Sequence, residues 1–105
     1  MLDKKHILIV DDVEDNIQLA MNILKEDGYQ FSFATNGEQA LSLVQQSPGK
    51  FDLILLDIMM PGIDGYEVCK IIKSKPNSGE IPIIFLTAKT DLDALNKGFA
   101  LGAVD

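Results

Sequence analysis

Three short runs of consecutive apolar residues divide this chain into repeating units. The runs are rich in Ile, Leu and Val, and they cover residues 7–10, 53–56 and 83–86. Runs of this kind, without polar alternation, are typical of strands that are buried on both faces of a parallel sheet. The sequence therefore predicts central strands over residues 7–10, 51–56 and 83–87.

The segments between these runs carry apolar residues at helical spacing. They predict helices over residues 14–27, 38–46, 66–74 and 91–101. Gly28 is a natural C-terminal cap for the first helix. Residues 29–33 alternate instead, with Tyr29, Phe31 and Phe33 separated by polar residues, and this pattern predicts a short edge strand. Strand and helix thus alternate four times, which predicts an α/β fold with a parallel sheet and right-handed crossovers.

Composition limits the classes of protein that fit this chain. It has 105 residues, enough for one domain, with a net charge of −7, nine lysines and no arginine. An acidic chain without arginine is a poor candidate for binding nucleic acid. One cysteine and one histidine exclude an internal disulfide and a metal site built from several such residues.

The sequence shows no signal for membrane insertion or export. No apolar stretch approaches the length of about 20 residues that spans a membrane. The first predicted strand follows the N-terminus directly, without the apolar core and cleavage site of a secretion signal. We therefore expect a cytoplasmic protein.

Polar side chains follow the three apolar runs. Asp11 and Asp12 come directly after the first run, Asp57 follows the second, and Thr87 follows the third. Because ligands bind at the carboxyl ends of parallel strands, the fold gathers these residues at one rim. Three carboxylates repel one another unless a cation joins them, and Mg²⁺ prefers oxygen ligands. The sequence therefore predicts a Mg²⁺ site with a hydroxyl group nearby.

A purely structural explanation competes with this site. Acidic residues after strands often cap helices or keep loops solvated, and threonine is a common residue at the end of a strand. For Asp11 alone, capping is the better explanation. It does not explain three clustered carboxylates, because clustering without a ligand is costly.

The ordered motifs resemble those of the receiver domain of two-component response regulators. The resemblance covers the whole chain, through residues 7–12, 55–65, 85–88 and 102–105. A pair of aspartates alone is weak evidence. Asp57 followed by the Met-Pro-x-x-Asp-Gly stretch, with the other motifs in order, is specific. The resemblance implies one receiver domain over residues 1–105, with a flavodoxin-like, doubly wound parallel sheet in the order 2-1-3-4-(5).

The resemblance also implies a role for each residue of the site. Asp57 would accept a phosphoryl group from a histidine kinase or a histidine phosphotransfer protein. Asp12 would bind Mg²⁺ directly and Asp11 largely through water, with Asp57 and the backbone carbonyl of Met59 as further ligands. Thr87 would be the switch hydroxyl that hydrogen-bonds the phosphoryl oxygens. Such a domain catalyses only its own phosphorylation and dephosphorylation, and it controls an output domain or partner.

Several neighbouring residues receive structural interpretations. We expect Asp64 to cap the third helix and Cys69 to be a small core residue. His6 is expected at the surface, ahead of the first strand. The side chains of Met59 and Met60 are expected to pack rather than to recognise a ligand.

The chain departs from the family pattern near its C-terminal end. It ends at Asp105, before the fifth strand, the lysine near the end of that strand and the fifth helix that receivers usually carry. Lys89 is not expected to replace that lysine, so phosphorylation of Asp57 is expected with the missing segment present. We expect either that the natural protein is longer, or that a second copy pairs with the exposed edge of the fourth strand.

Two other functions stay open at this point. A Mg²⁺-dependent phosphotransfer enzyme or phosphatase would use the same acidic rim, but it should also show an arginine clamp or further polar loop residues. A non-phosphorylated interaction module is the second alternative, because the lysine is missing. Detection of a phosphoryl adduct after treatment with acetyl phosphate would separate these functions.

Overall fold

The structure, a computed structural model, describes residues 5–47, 49–76 and 78–86. Its strands are β1 His6–Val10, β2 Gln30–Ala34, β3 Leu53–Asp57 and β4 Ile83–Leu86. Its α-helices are α1 Glu14–Leu24, α2 Gly37–Gln46 and α3 Gly65–Ser74. All strands are parallel, and their order is β2-β1-β3-β4. This order confirms the flavodoxin-like sheet that was expected; the helix predicted over residues 91–101 lies outside the described residues.

The central strands bury side chains on both faces of the sheet. Along β1, Leu8 and Val10 pack into a cluster with residues of α2 and α3, whereas Ile7 and Ile9 pack on the side of α1. These four residues are at most 2% exposed. A strand covered on both faces has no position for a polar side chain, which explains its continuous apolar run.

Two element boundaries differ by more than one residue from the sequence prediction. The first helix, predicted over residues 14–27, ends earlier as an α-helix and continues as a short 3-10 helix, Lys25–Asp27. Gly28 follows with a left-handed φ of 79°, as expected for a residue that ends a helical segment. The third strand begins at Leu53 instead of Phe51.

The residues just before β3 bind β1 through their side chains. Phe51 is buried with its ring edge-on to the ring of His6, at 5.2 Å between centroids. The side-chain Oδ2 of Asp52 accepts a hydrogen bond from the backbone N of His6 at 2.8 Å. His6 itself belongs to β1, is half-buried, and places its Nε2 2.7 Å from Oγ of Ser32. The expectation that His6 precedes the first strand was therefore wrong, while its side chain is partly exposed.

Helices α2 and α3 begin in the same way. The side chain of Asn36 accepts a hydrogen bond from the backbone N of Gln39 at 2.7 Å. The side chain of Asp64 accepts one from the backbone N of Glu67 at 2.9 Å, which confirms Asp64 as a cap. In the described part of the chain, no helix is long and apolar enough to cross a membrane.

Candidate functional site

The carboxylates of Asp11, Asp12 and Asp57 lie together at the carboxyl edge of the sheet. One oxygen atom from each forms a group in which all atoms lie within 4.8 Å of one another. The sheet causes this arrangement, because β1 and β3 are neighbours and Val10 lies opposite Leu56. Residues that follow these partners in the chain therefore meet at the same edge. Thr87, the fourth residue expected here, lies outside the described residues.

The side chain of Asp11 binds the local backbone and also belongs to the acidic cluster. Its side chain is 3% exposed, and its Oδ1 accepts a hydrogen bond from the backbone N of Val13 at 2.9 Å. Val13 stands immediately before α1. Asp11 therefore does not cap α1, whose N-cap residue is Val13, but its hydrogen bond fixes the turn that leads into the helix. Asp12, by contrast, is exposed to solvent at the rim.

The electrostatic environment of Asp57 is unfavourable for a carboxylate. Its pKa is raised from 3.8 to about 6, mainly by burial, with further contributions from the nearby charge of Asp11 and, to a smaller extent, from Asp12. A hydrogen bond from the backbone N of Met59 to Oδ1 of Asp57, 3.3 Å long, acts in the opposite direction. Ionisation of Asp57 in this site therefore costs free energy, because the charge is partly desolvated and is repelled by neighbouring carboxylates. A bound cation would offset this cost.

The side chain of Met59 is more exposed than the sequence interpretation predicted. Its side chain is 78% exposed, whereas Met60 is only 8% exposed and belongs to the core. The expectation of packing is thus confirmed for Met60 and wrong for Met59. The exposed side chain of Met59 lines the same groove as Asp57.

A groove of about 580 Å³ extends from the acids along α1. Its walls include the apolar residues Leu19, Ile23 and Leu86 beside the three carboxylates. Leu19 and Ile23 are 59% and 68% exposed. These two apolar residues therefore lie outside the buried face of α1, because the helix carries more apolar positions than a single face can bury.

Comparison with known proteins places this chain in a family. Residues 7–105 match the family model described as response regulator receiver domain. The chain is 46% identical over 99 residues to a Vibrio cholerae protein named "Probable cyclic di-GMP phosphodiesterase", covering 94% of this chain and 22% of that protein. It is 38% identical over 99 residues to response regulator PleD of Caulobacter vibrioides, covering 94% and 21%.

A structural comparison agrees with this sequence match. The fold matches that of the chemotaxis protein CheY4 of Vibrio cholerae with a TM-score of 0.88 and 30% identity, covering 97% of this chain and 83% of that one. The chain therefore belongs to the family of response regulator receiver domains. It spans about a fifth of the length of the curated relatives named above. The activity named for the first of them thus belongs to a much longer protein.

Proposed function

We propose that this chain is a phosphoacceptor receiver of a two-component phosphorelay, and that Asp57 accepts the phosphoryl group. The observation that carries the proposal is the meeting of Asp57 with Asp11 and Asp12 at the strand ends of a receiver fold. The donor would be a histidine kinase or a histidine phosphotransfer protein. Membership of the receiver family favours this function over a phosphatase or a separate phosphotransfer enzyme.

The donor atoms of the site fit Mg²⁺. Three carboxylates within 4.8 Å of one another offer only oxygen ligands, which is the donor set that this cation prefers. Asp12 is exposed and is proposed as the direct ligand, together with Asp57 and the carbonyl of Met59. Asp11 already accepts a hydrogen bond from the backbone and is proposed to act through water. When bound, Mg²⁺ would supply positive charge that offsets the charge developing during transfer.

Asp57 performs the transfer as a nucleophile. One of its carboxylate oxygens forms a bond to phosphorus while the bond between phosphorus and the donor histidine nitrogen breaks, and that nitrogen keeps the electron pair. With a pKa of about 6, Asp57 is mostly ionised at neutral pH and can attack without losing a proton. Thr87 is proposed as the hydroxyl that then hydrogen-bonds the phosphoryl oxygens and starts the conformational switch.

Acetyl phosphate provides the test. Incubation with this donor and Mg²⁺, followed by peptide mapping in a mass spectrometer, should place one phosphoryl group on Asp57. The Asp57→Asn protein should remain unmodified, and Asp64→Asn should be modified like the parent. A phosphoryl group on another residue would refute the assignment. A chain that takes no phosphoryl group, also when tested as the full natural protein, would favour the interaction module.

The wider context of the chain is also a proposal. Because its relatives are several times longer, we propose that it controls an output domain within a longer protein, or a separate partner. Pairing of two copies along the edge of β4 stays a prediction, as does the cytoplasmic location.

A further inference from the structure

The loop that follows Asp57 is closed by a direct backbone contact. This loop covers residues 58–64, and α3 begins immediately after it at Gly65. The backbone N of Gly65 donates a hydrogen bond to the carbonyl oxygen of Ile58 at 2.9 Å. The first residue of α3 therefore lies directly against the end of β3, where Asp57 stands.

A side chain at position 65 has no room. A Cβ atom there would overlap the carbonyl oxygen of Asp57 and lie 2.8 Å from Cα of Ile58. Both are backbone atoms, so a change of rotamer cannot relieve the contact. Either the start of α3 or the backbone of residues 57 and 58 would have to move.

Movement of this backbone would change the geometry of the acidic cluster. The Asp57 carboxylate is fixed to the strand end that the new side chain would push, while Asp11 and Asp12 are fixed to β1. The backbone N of Met59, which donates to Asp57, follows in the same displaced segment. Metal ligation and phosphoryl transfer both depend on such distances.

We propose that Gly65 is a positioning residue for the phosphoacceptor. Its lack of a side chain lets α3 press against β3 and sets the distance of Asp57 from the two other carboxylates. The inference rests on the proposed function, because the affected property is cation and phosphoryl chemistry at Asp57.

Gly37 provides a matched control. Like Gly65, it is a buried glycine at the first position of a helix, directly after a residue whose side chain caps that helix. A Cβ atom on Gly37 would lie 2.6 Å from Cγ2 of Val68 and 3.0 Å from the carbonyl oxygen of Ile63. An added methyl group there would disturb the packing of α2 on α3 without touching Asp57.

The experiment compares Gly65→Ala, Gly37→Ala and the parent chain. Mn²⁺ is the probe: its binding is followed by electron paramagnetic resonance, and folding by thermal unfolding. We expect both variants to unfold at lower temperature than the parent. Gly65→Ala should also bind Mn²⁺ roughly tenfold more weakly, as is typical when support behind a metal ligand is lost, and accept phosphoryl from acetyl phosphate more slowly. Gly37→Ala should match the parent in its affinity for Mn²⁺ and in its rate of phosphorylation by acetyl phosphate.

Equal Mn²⁺ affinity in Gly65→Ala and Gly37→Ala would overturn the inference while leaving the proposed function in place. A parent chain that binds no Mn²⁺ would instead overturn the proposed site, and the inference with it. If Gly65→Ala folds only with an osmolyte such as trimethylamine N-oxide, all three proteins are measured in it. The readout is then the rise in unfolding temperature on addition of Mn²⁺. An equal rise in all three would count against the positioning role.

Discussion

Replacement of Asp57 by asparagine should stabilise the metal-free protein at neutral pH. The reason is that Asp57 is ionised in a site where burial and the neighbouring Asp11 disfavour its charge. Asparagine has nearly the same shape and carries no charge. The substitution therefore removes the repulsion and leaves the packing around the strand end in place.

The expected gain in stability follows from the pKa of Asp57. A rise from 3.8 to about 6 corresponds to roughly 3 kcal/mol of cost for the ionised form in the folded state. Because this carboxylate is only partly buried, solvent screening reduces the expected gain to about 1 kcal/mol. In a domain of this size, that is a rise of about 4–8 °C in unfolding temperature.

The sign of the pH dependence is fixed by the same shift. The folded state holds the Asp57 proton more tightly than the unfolded state, so the stability of the parent falls as pH rises between about 4 and about 6. The asparagine variant has no such proton. The difference in stability between the two proteins should therefore be small at pH 4 and complete at pH 7.5.

Thermal and urea unfolding without divalent cations, at both pH values, measures this difference. Asp64→Asn is the matched control, since it removes a charge at an exposed helix cap where the amide oxygen can still accept from Glu67. Adding Mg²⁺ to about ten times its Kd should stabilise the parent by about 1.4 kcal/mol and close the gap. Lower stability of Asp57→Asn than of the parent at pH 7.5, or an equal gain in stability at pH 4, would contradict the expected cost of the ionised Asp57.

Three further outcomes are expected from the same site. Asp12→Ala should weaken Mn²⁺ binding by about tenfold or more, and equal affinity in variant and parent would exclude Asp12 as a ligand. Met59→Gln should shorten the lifetime of the phosphorylated form severalfold, because the exposed apolar side chain of Met59 cannot orient an attacking water; an unchanged decay rate of the adduct would contradict this. Thr87→Ala should leave Mg²⁺ affinity unchanged and abolish the phosphorylation-dependent changes in the NMR signals of residues 91–101; changes there that persist in the variant would count against the switch role.

Much of the candidate site was accessible from the sequence. Asp11, Asp12 and Asp57 each stand where an apolar run ends, and the rule for parallel sheets brings such residues to one edge. The cap at Asp64 and the end of the first helical segment at Gly28 were also predicted, because caps depend on local backbone geometry.

The sequence by itself determined the alternation of strands and helices and the strand ends that meet at the site. The continuous apolar runs contain this information, since burial on both faces leaves no polar position in a central strand. Only the tertiary structure decided which apolar residues stay exposed, such as Ile23 and Met59, and how far the pKa of Asp57 rises. It also decided that Gly65 must lack a side chain. These properties depend on distances between segments far apart in the chain, and the hydrophobic pattern of a single segment does not specify them.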